Sequence, residues 1–179
     1  MTELLANWVG SLASAIDAQV AQGAGEHGGT VMGALLTCSY FPDMTVGKLA
    51  GVLGLTGSGA VRLVDRLERD GLVARQARQG RLVTVRLTAR GRRLAAGLQR
   101  RRLAVIDGLL SPLTQQERTE LAGMLGKVLH DAGLPAAQAR RACRFCDHQR
   151  CDGEACPVGR SLRERGEPAP HAGAKAVHQ

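Results

Sequence analysis

Four cysteines fall within fourteen residues near the end of this 179-residue chain, Cys143-x2-Cys146-x4-Cys151-x4-Cys156, and one more, Cys38, stands far from them. Four soft sulfurs in one short loop restrict that segment more than any hydrophobic pattern does. They ligate a metal, hold an iron–sulfur cluster, pair as disulfides or stay as free thiols. The N-terminus, Met1-Thr2-Glu3-Leu4-Leu5, has no basic leader, so the expected location is the cytoplasm. Thiols stay reduced there, which ranks ligation above disulfides.

The spacing is that of the zinc knuckle, C-x2-C-x4-H-x4-C, with Cys151 standing where that motif has histidine. The knuckle's glycines after the second cysteine are missing, so only the spacing carries over. Four thiolates around zinc leave a charge of −2, and Arg140, Arg141, Arg144 and Arg150 lie close by to offset it. Zinc on Cys143, Cys146, Cys151 and Cys156 is the expected cofactor. An iron–sulfur cluster is the alternative, since Cys156-Pro157 resembles ferredoxin-type segments. His148 is a substitute ligand under either scheme. Cys38, alone in a helical stretch, reads as a small buried hydrophobe rather than a reactive thiol.

Hydrophobic residues make up 44% of the chain but aromatics only 2%, so the core must be Leu, Val and Ala. Charge or glycine interrupts every apolar stretch before about 18 residues, which excludes a membrane-spanning helix. The net charge of +8 is concentrated. From Arg62 to Arg102 there are thirteen arginines against Asp65, Glu68 and Asp70, a local excess of +10. A basic stretch of this kind suits a polyanion, whose condensed counterions are released on binding.

Helical spacing runs through residues 3–22, with Leu4, Leu5, Trp8, Leu12, Ala15, Ile16 and Val20 on one side. A second helix is expected over 30–40, ending before Pro42. Thr45 is placed to cap a short helix, 46–53, which stops at Gly54. Thr56 is placed to cap the next, which runs to Asp70 and ends at Gly71. Residues 72–88 read as a β-hairpin around Gln76-Ala77-Arg78-Gln79-Gly80. A long helix follows over about 89–110, and Ser111-Pro112 breaks it. Thr114-Gln-Gln-Glu117 has the pattern of a capping box opening a last helix to about 132. Three segments result: a domain over 1–135, the cysteine module over 136–159, and a disordered tail over 160–179 rich in Pro, Gly and charge.

Helices 46–53 and 56–70 form a helix-turn-helix candidate. Ala60, Leu63, Val64 and Leu67 lie on the inner face of the second helix. Ser58, Arg62, Asp65, Arg66 and Arg69 lie on the outer face, at major-groove reach. An ordinary amphipathic surface helix would show the same spacing.

The run Thr45-Val-Gly-Lys-Leu-Ala-Gly-Val-Leu-Gly-Leu-Thr-Gly-Ser-Gly-Ala-Val-Arg-Leu-Val-Asp-Arg-Leu-Glu-Arg-Asp-Gly-Leu-Val73, with Val85-Arg-Leu-Thr-Ala-Arg-Gly91 after it, resembles the MarR family of winged-helix regulators. The resemblance covers about residues 4–132. It implies a mainly α fold, a winged helix-turn-helix with a helical dimerisation layer, to which the cysteine module is added. It implies a homodimer that places helix 56–70 in a major groove and the hairpin on the adjacent minor groove or backbone. Thr45, Thr56, Ser58, Gly59, Val61, Arg62, Asp65, Arg66, Arg78 and Arg81 are the DNA-contacting positions that follow. The implied partner is a palindromic double-stranded operator, the implied role is repression, and a small-molecule effector is left open. One departure stands out. The family's wing tip carries Asp-x-Arg, whereas this chain has Gln79-Gly80-Arg81 on a wing about two residues shorter. Arg81 keeps the contact, and Arg78 is placed to share it.

An enzyme is not expected: there is no nucleophile–base pair, no paired carboxylates in an apolar setting and no phosphate-cradling glycine loop. A small redox protein built on the cysteines, or an RNA-binding adaptor using the knuckle-like segment, is the competing reading. With Trp8, Tyr40, Phe41 and Phe145 the only aromatics, base stacking on single strands is poorly served, which favours duplex DNA.

Overall fold

The computed structural model describes residues 2–42, 44–77 and 83–170. Its elements run α1 (Thr2–Ala24), α2 (Gly28–Tyr40), β1 (Met44–Thr45), α3 (Val46–Leu53), α4 (Gly57–Arg69), β2 (Val73–Ala77), β3 (Val83–Leu87), α5 (Ala89–Leu109), α6 (Gln115–Asp131), α7 (Ala136–Ala142) and α8 (Pro157–Glu164). The architecture is the mainly helical winged helix-turn-helix that the sequence implies, and the helix boundaries fall within about two residues of those expected.

Local chemistry sets those boundaries. Lys48 N–H donates to Thr45 Oγ1 at 3.2 Å, and Gly59 N–H donates to Thr56 Oγ1 at 3.1 Å. Each threonine thus satisfies a helix-start amide that has no partner within its helix. Thr114 and Glu117 form the reciprocal capping box at the start of α6. Gly54, at φ 68°, ends α3 in the left-handed region.

The sheet has the order β1-β3-β2, with both pairings antiparallel. Strand β1 is absent from the sequence reading. Its two residues pair Met44 with Val85 and Thr45 with Thr84, so the chain enters α3 directly from the sheet. Pairing on both sides puts Thr84 and Val85 in the interior. The main core lies where α2, α3, α4, α5 and the sheet meet, with Met32, Leu35, Leu49, Val64, Leu67, Val85 and Leu98 at its centre. At Gly91 the start of α5 comes so close to the base of the wing that a Cβ there would lie 1.9 Å from the Leu72 carbonyl oxygen. Thr88 fixes this junction, donating from Oγ1 to the Gly71 carbonyl at 2.7 Å.

Two helices contribute little to this core. Only Ala24 of α1 is buried, and no residue of α6 is. Their apolar stripes face outward: Leu4, Leu5, Trp8, Val9 and Leu12 on α1, and Met124, Leu125, Val128 and Leu129 on α6.

The cysteine module extends further than the sequence suggests. The tail expected from residue 160 is helical at its start, because α8 runs to Glu164 and Ala169 is still buried. Val158 and Leu162 pack with Ala139 against Cys143 and Cys156 in a small second core. Residues 171–179, the rest of that expected tail, lie outside the described residues.

Candidate nucleic-acid interface and cysteine module

Helix α4 presents the expected two faces. Ala60, Val64 and Leu67 are buried, whereas Ser58, Val61, Arg62, Asp65, Arg66 and Arg69 are exposed. Its acidic groups are engaged by a residue the sequence reading missed. Arg75, on β2, donates through Nη2 to Asp65 Oδ1 at 2.6 Å, and its other nitrogen meets Glu68 Oε2. Its backbone N–H donates to Glu68 Oε1 at 3.0 Å. This amide, followed by the guanidinium, holds the Glu68 carboxyl below its ordinary range. Arg66 lies 3.8 Å from Asp70. Arg62 and Arg69 have no carboxylate partner among the described residues. Arg75 therefore withdraws negative charge from the helix and leaves an exposed cationic face.

The other expected contacts divide. Thr45 and Thr56 are caps at the starts of α3 and α4, and Ser58 Oγ lies 3.3 Å from Thr56 Oγ1. Gly59 supplies the amide that Thr56 accepts. Asp65 braces the wing through Arg75 rather than standing free. Arg78 and Arg81 lie outside the described residues.

In the module, a tight turn over Cys143–Phe145 brings Cys143 and Cys146 to one side, with Cys146 N–H donating to the Cys143 carbonyl at 3.0 Å. Cys143 and Cys151 each form side-chain hydrogen bonds with both Cys146 and Cys156, closing a ring of four sulfurs. Those bonds, more than burial, hold Cys143 and Cys151 as protonated thiols, raised well above the ordinary range. Cys146 is pulled down as their acceptor; His148 and Arg102 add to this, and burial opposes it. Cys156 caps α8, its Sγ accepting from Gly159 N–H at 3.2 Å. Among the described residues no group of three or more His, Cys, Asp or Glu side chains is arranged so that it could hold a metal ion. The donor chemistry still fits a thiophilic metal: four convergent sulfurs, one amide aimed at sulfur and an arginine beside them.

Three of the four aromatics line the seam between module and body, which composition could not reveal. Phe145 inserts against the main core. Its carbonyl accepts from Gln99 Nε2 at 3.1 Å and Arg102 Nη1 at 3.2 Å, and the Arg144 guanidinium lies 4.3 Å from its ring. Tyr40 donates its hydroxyl to Asp147 at 3.0 Å. Buried His148 meets Tyr40 and Phe41 edge-on at 5.0 and 5.6 Å. It stands near enough to Cys146 to favour the charged form of that sulfur. Cys38 is buried in the main core, and burial pushes its thiol up to about 12, as suits a packed hydrophobe.

Residues 28–82 match the model of the MarR family. The structure is similar to the YusO protein from Bacillus subtilis, with a TM-score of 0.63 at 20% identity over 71% of this chain and 93% of that one. A MarR family protein from Bacillus stearothermophilus gives a TM-score of 0.63 at 26% identity, covering 75% of this chain and 99% of the other. MepR, a transcription regulator of the Staphylococcus aureus multidrug efflux pump MepA, gives 0.62 at 20%, covering 71% and 97%. No curated protein matches. The solved relatives leave a quarter or more of this chain uncovered.

Proposed function

We propose, from the premise that this chain belongs to the MarR family, that it is a sequence-specific double-stranded DNA-binding regulator and acts as a repressor. The family is one of transcriptional regulators, not enzymes. The observation that carries the reading is the exposed face of α4, where Arg75 holds Asp65 and Glu68 and leaves Arg62 and Arg69 without a carboxylate partner among the described residues. A cationic helix of this kind reads base edges from the major groove, and the wing beside it reaches the backbone.

The outward apolar stripes of α1 and α6 support a homodimer, since burying them against a second copy removes large apolar side chains from water. A two-fold dimer calls for a palindromic operator with half-sites about one helical turn apart. No helix among the described residues is long and apolar enough to cross a membrane. Work in the cytoplasm agrees with that.

Cys143, Cys146, Cys151 and Cys156 are the residues that would hold zinc, which supplies a structural crosslink here rather than Lewis-acid chemistry. Zinc is preferred to an iron–sulfur cluster because Pro157, the residue that pointed to a cluster, has an ordinary helical role. It occupies the first turn of α8, where its missing N–H costs nothing. Metal content and absorption of the anaerobically purified protein decide between the two. Through its contacts with the body, the module makes DNA binding responsive to metal or redox state.

The test of the DNA reading is Arg62→Ala, measured by titration on a selected operator. A loss of about 1–3 kcal/mol is expected on the specific site. Arg81→Ala should weaken all sequences alike and flatten the salt dependence. Unchanged specific affinity for Arg62→Ala would overturn the assignment of the reading face.

A further inference from the structure

Helix α7 of the module lies against α3, and its Arg141 covers the turn of the helix-turn-helix. A Cβ built at Gly54 would lie 2.4 Å from Arg141 Nη2 and 2.5 Å from Cζ, so the guanidinium rests directly on the glycine backbone. Gly54 is exposed and so is Arg141. The guanidinium has no carboxylate partner among the described residues. Arg144 donates to the Arg141 carbonyl at 2.5 Å. From Leu134 to Cys146 there is no acidic residue, while Arg140, Arg141 and Arg144 all fall there.

Gly57, where α4 begins, lies three residues along the chain from Gly54. A chain of that length spans at most about 11 Å. In a helix-turn-helix the start of the second helix meets the bases and the first helix crosses the backbone, so the turn between them runs beside phosphates. We propose that Arg141 is a DNA-phosphate contact, which makes the cysteine module part of the DNA-binding surface alongside α4 and the wing. The proposal rests on the DNA-binding reading above. It also gives the position of α7, set at its far end by Cys143, a direct consequence for affinity.

The test is a salt titration of the whole 179-residue chain, purified anaerobically, on a fluorescent 30-base-pair mixed-sequence duplex. Wild type, Arg141→Ala, Arg141→Lys and Arg163→Ala are compared. Each phosphate contact adds about 0.9 to the slope of log K against log salt, or roughly eightfold in affinity at 0.1 M. Arg141→Ala should lower the slope by about 0.9 per subunit engaged, and Arg141→Lys should retain it. Arg163 lies on α8, where it holds Glu154 and the Gly153 carbonyl, so removing it should leave the slope alone. A brace between α7 and α3 would change the melting temperature but not the slope. An unchanged slope in Arg141→Ala, or an equal drop in Arg163→Ala, overturns the contact and leaves the DNA reading standing. Failure of the wild type to bind any duplex overturns both.

Discussion

The core of the winged-helix body is Leu, Val, Met and Ala gathered from helices and strands far apart in the chain. The core of the module is Ala139, Val158 and Leu162 around Cys143 and Cys156, with Cys146 and Cys151 packed against it. The body buries enough apolar surface to hold itself together. The module does not: Ala139, Val158 and Leu162, with Leu134 and Ala136 half-buried at their edge, cannot offset the chain entropy of ordering some thirty residues. Its order must come from the sulfurs and from the seam where Phe145, Tyr40 and His148 meet the body. Regions of one chain can thus differ in what stabilises them, and each answers to a different perturbation.

The largest effect should come from removing ligands. Structural zinc contributes about 10–16 kcal/mol of binding free energy in zinc-finger peptides, and that energy is folding energy. If the module holds zinc as proposed, Cys146→Ser with Cys151→Ser should abolish metal retention and open the module to protease after Gly133, while the body still melts cooperatively. The same variant tests responsiveness. If it stays dimeric and binds the operator within twofold of metal-loaded wild type, the module is a staple and not a sensor. Protection of residues 134–170 in the variant would break the comparison, because the small core would then suffice.

A smaller effect is expected from Leu35→Ala. Leu35 is fully buried, and deletions of this kind cost about 2–5 kcal/mol through lost transfer energy and a residual cavity. The loss should appear in the denaturant midpoint of the body, with the module's resistance to protease unchanged. Leu162→Ala, equally buried in the module, should leave that midpoint nearly where it was. Equal shifts from both substitutions would mean that the two cores melt as one.

The contrast also explains what the sequence made legible. Capped helices announce themselves locally: Thr45, Thr56 and the Thr114–Glu117 box act within three residues, and periodicity supplies the rest. Strand β1 has two residues and shows no period. Arg75 is invisible for another reason, since its clamp on Asp65 and Glu68 joins a strand to a helix. Helix α8 carries Val158 and Leu162 at helical spacing, but one apolar pair amid Pro, Gly and charge reads as tail until the cysteines give it a surface. The clustering of the four sulfurs was legible from spacing alone. The module's docking onto α2, α3 and α5 was not, because Gln99, Arg102 and Phe145 meet only in three dimensions.

The smallest effect concerns the other seam, between α6 of the body and α8 of the module. His130 lies between two acids, with Nδ1 2.8 Å from Asp131 Oδ1 and Nε2 3.1 Å from Glu164 Oε2. Only the imidazolium donates from both nitrogens, so each carboxylate favours the charged form, and Asp131 first, then Glu164, raises its pKa. The sign follows. A group with a raised folded value contributes its stability fully below its unfolded value, about 6.5, and loses it as pH climbs through the folded one. Wild type should therefore exceed His130→Gln in melting temperature on the acid side of neutrality. The gap should close at higher pH, when one of the two bonds to His130 is lost. The site is exposed, so the difference is small, and high salt should reduce it further. A gap that is constant with pH would show that His130 acts by packing alone. A gap that widens with pH would mean that the neutral ring is the form that joins α6 to α8.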